Sequence, residues 1–224
     1  MVSNRALNSI RTPIGSTKEH KLRSIVYATV LGIIMGVAAK LVDNASINPI
    51  FDNIGGRLGI WVFTATLLSV FSCSPKWASA NVFAFFVSML AVYYVYTTLF
   101  LNFFPGKAIL FWGICALISP VCAYVMWYAR GKGFVSAAIM SLPISLLLAE
   151  GYELQNAYLP VHTHYYLIPW LYAIYILMVV ILLAAIPKNK RNLLVGLSLA
   201  MILCWIFVQW DVLGRMFGGM NGVL

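Results

Sequence analysis

Charge is what this sequence has least of. Only 9% of its 224 residues are charged, with 15 Lys and Arg against 6 Asp and Glu. A soluble domain carries roughly 25%. A water-facing surface cannot be built from so few charges, so the solvent is mostly lipid. Beyond residue 24 there is no long polar stretch, which leaves no room for a separate soluble domain. The four cysteines, Cys73, Cys115, Cys122 and Cys204, form no Cys-x-x-Cys pair and read as small packing residues. Gly-x-Ser-x-Gly, His-Glu-x-x-His and a phosphate-binding glycine loop are all missing, so no nucleophile or nucleotide motif is encoded. No charge falls in the middle of an apolar run, which argues against voltage sensing and a deep proton relay.

What remains is apolar: 62% hydrophobic residues and a mean hydropathy of +0.90. A membrane-crossing helix needs about 20 such residues. Candidate spans are 25–42, 57–74, 78–101, 107–128, 133–150, 166–186 and 191–210, separated by Pro, Gly or charge. The second is short, with Gly55-Gly56 before it and Pro75 closing it. The predicted fold is therefore an all-α, polytopic transmembrane bundle of about seven helices. Residues 1–24 form a mobile basic cytoplasmic tail, 25–210 the membrane domain and 211–224 a short outer tail.

Orientation follows from the basic residues, which favour the cytoplasmic side. With the N-terminus inside, Arg5, Arg11, Lys18, Lys21, Arg23, Lys76, Arg130, Lys132, Lys188, Lys190 and Arg191 are inside. Lys40, Arg57, Lys107 and Arg215 are outside. The acids mirror this: Glu19 is inside, while Asp43, Asp52, Glu150, Glu153 and Asp211 are outside. The net charge of +9 is thus a topology signal, and no nucleic-acid partner is expected. Trp61, Trp112, Trp170 and Trp210 fall near the outer interface, and Trp77 and Trp127 near the inner one, as aromatic belts require.

Small residues recur every fourth position, on one face of a helix. They are Ala28, Gly32 and Gly36 in the first helix and Ala80, Ala84 and Ser88 in the third. The fifth has Gly133, Ala137, Ser141, Ser145 and Ala149, and the seventh Gly196, Ala200 and Cys204. Such ridges let helices approach closely in lipid. The ridge of the first helix serves either internal packing or a membrane partner subunit. Pro120 and Pro143 should kink the fourth and fifth helices, and the kinks either open a cavity between them or stand as inert bends.

Polar groups gather at the outer ends. Glu150 and Glu153 close the fifth helix, His162 and His164 lie in the next loop, and Tyr166 and Trp170 open the sixth helix. Tyr93, Tyr94 and Tyr96 lie in the outer half of the third. Three readings stand. These are interface residues at helix ends; or they line an outward-facing aromatic pocket for a small molecule; or Glu150, Glu153, His162 and His164 hold a metal in a membrane enzyme. No cofactor is called for.

Gly32, Gly36, the turn Gly55-Gly56-Arg57 and the step Glu150-Gly151 resemble an uncharacterised family of small bacterial multipass membrane proteins. That resemblance implies a bacterial inner-membrane location. Size, helix count and the ridge on the first helix are similar to the substrate-capturing subunits of energy-coupling-factor vitamin transporters, which typically have six helices. It implies an outward-facing pocket and a partner subunit. The function expected is small-molecule binding or transport, with a metal-dependent enzyme or an accessory scaffold as alternatives.

The orientation has a direct test. A cysteine placed before Met1 should be protected from a membrane-impermeant thiol label in intact cells, and one placed after Leu224 should react. The opposite pattern would overturn the assignment.

Overall fold

A computed structural model describes residues 7–42, 57–101, 106–154 and 165–217. These residues are almost wholly helical, and no strand occurs among them. In hydrocarbon a helix pairs its backbone groups internally, which is why long apolar runs adopt it. The helices are α1 Lys18–Val42, α2 Leu58–Phe71, α3 Pro75–Leu101, α4 Gly106–Met126, α5 Gly133–Glu153, α6 Ile168–Ala185, α7 Lys190–Gln209 and the short α8 Val212–Phe217. Six of them are long and apolar enough to cross a membrane.

Besides the six-residue α8, helix α2 falls short, at 14 residues. Its length is about 20 Å, short of a hydrocarbon core of about 30 Å. It nevertheless runs between the two ends of the bundle. Its first amides bond to Glu150 near the end of α5, and beyond its far end the Cys73 carbonyl accepts from the Ile14 amide. The alternation of directions inferred from the charges is thereby kept.

The chain follows a similar path twice. In α1–α2–α3 and again in α5–α6–α7, a helix leaves the basic end, a second returns, and a third leaves again. Both tight turns into the third helix contain Pro-Lys, at Pro75-Lys76 and Pro187-Lys188. Helix α4 joins the two units. The first and third helices of each unit lie parallel and form the two most extensive helix contacts among the described residues. The units differ in one respect: α2 packs on α3, whereas α6 packs on α5.

Both parallel pairs are built on the small residues. A methyl at Gly32 would overlap the Ser88 hydroxyl and the Phe85 carbonyl, and one at Gly36 would lie 2.6 Å from the Met89 carbonyl oxygen. Ala28 is fully buried with Phe85, Met89 and Trp61. In the second pair, a methyl at Gly196 would collide with Met140 and stand 3.2 Å from the Ala137 carbonyl oxygen. Without a hydrophobic drive between helices, this close approach supplies the van der Waals contact that holds them. The ridge of α1 is therefore occupied by α3. The opposite face, with Tyr27, Ile34 and Leu41, is exposed.

Three expectations are corrected. The tail is not mobile throughout: 7–10 form a helical turn, Lys132 N–H donates to the Ile10 carbonyl (2.9 Å), and Arg11 is buried. Trp127 is fully buried beneath that segment rather than facing lipid, and Trp61 is buried too. The two proline-bearing helices, α4 and α5, are not packed side by side and make little contact with each other. Pro120 leaves the Ala116 carbonyl without its usual amide, and the Ser119 hydroxyl donates to it instead at 2.8 Å.

Gly36→Leu should cost about 1–3 kcal/mol by overpacking the α1–α3 seam. Gly113→Ala, where no atom lies within 4 Å, should gain roughly 0.5–1 kcal/mol. Reversible unfolding in mixed detergent micelles measures both; equal effects would contradict the seam.

Candidate functional site

The start of α2 poses a chemical problem. Its flanking residue is Arg57, which carries no acceptor, and no side-chain cap forms there. The first N–H groups of the helix must find acceptors elsewhere or remain unpaired in a region without water. Glu150 of α5 supplies them. One carboxylate oxygen accepts from Leu58 N–H at 2.9 Å and the other from Gly59 N–H at 2.7 Å. The Tyr175 hydroxyl of α6 donates to the second oxygen at 2.9 Å. Glu150 is only 4% exposed. A negative group here also meets the positive end of the α2 dipole.

Gly59 is what lets the carboxylate in. A side-chain carbon there would collide with a Glu150 oxygen and sit 2.9 Å from the Tyr175 ring. Arg57 and Glu153 lie within electrostatic range of Glu150, and Asp211, just beyond α7, within range of Glu153. The acidic end thus gathers three carboxylates and a guanidinium from α2, α5 and the end of α7.

The other predicted site residues are dispersed. Tyr93 stacks beneath the Lys40 ammonium (4.7 Å), and Tyr94 lines an open apolar groove between α3 and α4. Tyr96, Tyr166 and Trp170 are exposed, and α3 and α6 share no substantial contact. The aromatic wall is therefore not assembled around Glu150. His162 and His164 lie outside the described residues. Among the described residues no group of three His, Cys, Asp or Glu is placed to hold a metal.

The sequence reading missed Tyr175, Gly59 and the amide pair. One signal was available: a helix opening after Arg57, with no Ser, Thr, Asp or Asn to cap it, needs an acceptor from elsewhere.

The other end of α2 is closed by the opposite chemistry. Arg11 donates to the Val70 carbonyl at 2.9 Å and to the Trp127 carbonyl, and its guanidinium lies 4.0 Å from the Trp127 ring centre. Trp127 donates its indole N–H to the Ser72 carbonyl at 2.7 Å. Burial first, and the Arg130 charge second, push the Arg11 pKa down to about 10. The side chain is still a cation at neutral pH, and it sits at the negative end of the α2 dipole.

Comparison with protein-family models, with curated proteins and with solved structures finds no match for this chain.

Glu150→Ala leaves the buried Gly59 N–H and the part-buried Leu58 N–H unpaired and should cost about 3 kcal/mol; Tyr175→Phe removes one hydrogen bond and should cost about 1 kcal/mol. Chemical unfolding in micelles measures both. Costs no larger than that of Glu153→Ala would show that the cap is not structural.

Proposed function

We propose that the chain is a membrane component that binds or carries a small organic cation, which it takes up from the acidic, outer end. The observation that carries this reading is Glu150, a buried carboxylate set where the two three-helix units meet. Ionisable groups inside membrane domains are costly to keep and mark ligand or ion paths. Carriers built from two units in the same orientation place their sites between the units and work by rocking one against the other. Leu58 and Gly59 belong to one unit, Glu150 and Tyr175 to the other.

The charge balance selects the ligand class. The carboxyl groups of Glu150, Glu153 and Asp211 stand with one guanidinium, Arg57, and carboxyl oxygens accept hydrogen bonds, so a donor-rich ammonium or guanidinium is favoured over an anion. This reading moves the expected pocket away from Tyr93, Tyr94, Tyr96, Tyr166 and Trp170 and centres it on carboxylates. Placement in a bacterial inner membrane and likeness to substrate-capturing subunits belong to the same proposal. A partner acting through Gly32 and Gly36 does not, because α3 covers that ridge.

The test is thermal stabilisation of the full chain in lipid nanodiscs. Putrescine, arginine and tetraethylammonium are the cationic probes, with glutamate and glucose as controls. At least one cation should raise the unfolding temperature. The Glu153→Gln/Asp211→Asn double variant, which leaves the Glu150 cap intact, should lose that response. No response to any cation, or an undiminished one in the double variant, overturns the proposal.

A further inference from the structure

The basic end holds a second feature, and it does not depend on the carrier reading. Between the first turns of α5 and α7 lies a cleft of about 230 Å³, apolar at Phe134, Ala137 and Val195 and polar at its Asn189, Arg191 and Asn192 side. Its lining includes Gly133, Phe134, Asn189, Arg191 and the buried Asn192. Cations surround it in sequence and in space. Lys132 immediately precedes α5, and Lys188, Lys190 and Arg191 surround the turn into α7. Lys188 feels Arg11, Arg130 and Lys132 as like charges.

No carboxylate answers these charges. Glu19 is the one acid in the segments at this end of the chain. It is exposed and lies 3.9 Å from Arg23. A topology signal requires only that basic residues stay on one side; it does not require them to converge. Here Arg11, Arg130 and Lys132 all act on Lys188 in the folded chain, a like-charge arrangement that an anion would relieve. Burial first, and then those neighbours, hold the Lys188 ammonium below its usual pKa.

We propose that this cleft binds a phosphate group, either the headgroup of an acidic phospholipid in the adjoining leaflet or a soluble phosphate. Arg191 presents the planar fork that suits phosphate oxygens, and Lys132 and Lys188 adjoin the lining residues Gly133 and Asn189 along the chain. The Asn189 side chain is already engaged, accepting from Asn192 N–H at 2.7 Å. The Asn192 amide donates to the Gly131 carbonyl at 3.4 Å. The cleft walls are therefore tied together before any anion arrives, and the cations at the rim supply the affinity. Basic pockets between helices at the cytoplasmic face hold phospholipid headgroups in this way.

Native mass spectrometry of the delipidated full chain tests the proposal, with phosphatidylglycerol, phosphatidylcholine and inorganic phosphate added in turn. Phosphatidylglycerol should bind in preference to phosphatidylcholine. The Lys132→Gln/Lys188→Gln/Arg191→Gln variant should lose at least about tenfold in that affinity. Lys18→Gln/Lys21→Gln/Arg23→Gln, with the same charge removed at the same end, should stay within about twofold. Should the first variant fail to fold, Arg191→Gln alone, at an exposed position, should still weaken binding severalfold. Competition by inorganic phosphate identifies a soluble ligand, and binding of the lipid without such competition identifies the headgroup. Equal losses in the two triple variants, or no binding of either probe, overturns the proposal.

Discussion

A helix of 14 residues that ends inside a membrane domain exposes four N–H groups at one end and four carbonyls at the other. Hydrocarbon offers these groups no water. In this protein both ends of α2 are closed by charged side chains brought from elsewhere. Glu150 accepts from the leading amides, and Arg11 donates to a trailing carbonyl. Each charge also lies at the end of the helix dipole that favours it. Much else follows from this arrangement. It fixes α5 and α6 against the start of α2, and it draws the N-terminal segment against its end. It also accounts for Gly59, which leaves space for the carboxylate.

The remaining helices are held by shape more than by polarity. The two parallel pairs, α1 with α3 and α5 with α7, meet where glycine or alanine lets one backbone reach the other. This close packing substitutes for the hydrophobic drive that lipid removes. Polar chemistry is thus confined to the two ends of the bundle. One end collects carboxylates around an amide pair, and the other collects cations around a carbonyl pair and a cleft. The two proposals correspond to these ends: a small cation at the first and a phosphate group at the second.

Much of the architecture could be read without coordinates. The apolar runs, the alternation of charge and the four-residue spacing of Gly32, Gly36, Gly196 and Ala200 are local or periodic patterns, and each maps onto one helix or one face. The site was only partly readable. Glu150 stood out as an acid at a helix end, but its partners are two backbone amides and a tyrosine 25 residues away. Backbone groups carry no sequence signature. The aromatic residues misled because Tyr and Trp are placed by the membrane interface as readily as by a pocket. The N-terminal segment misled because a basic stretch without periodicity looks unstructured until a buried side chain, Arg11, finds carbonyls contributed by α2 and by Trp127.

The sequence by itself determined the apolar, all-helical character of this protein, the segments that form its long helices and the faces on which those helices meet. Those properties depend on composition, charge side and period, which are additive along the chain. Only the tertiary structure decided that the first ridge packs inward, that Trp127 is buried, and that Glu150 and Arg11 close the same short helix. Those outcomes depend on which unpaired groups come within hydrogen-bond reach once the helices pack, and distance in space is not encoded in spacing along the chain.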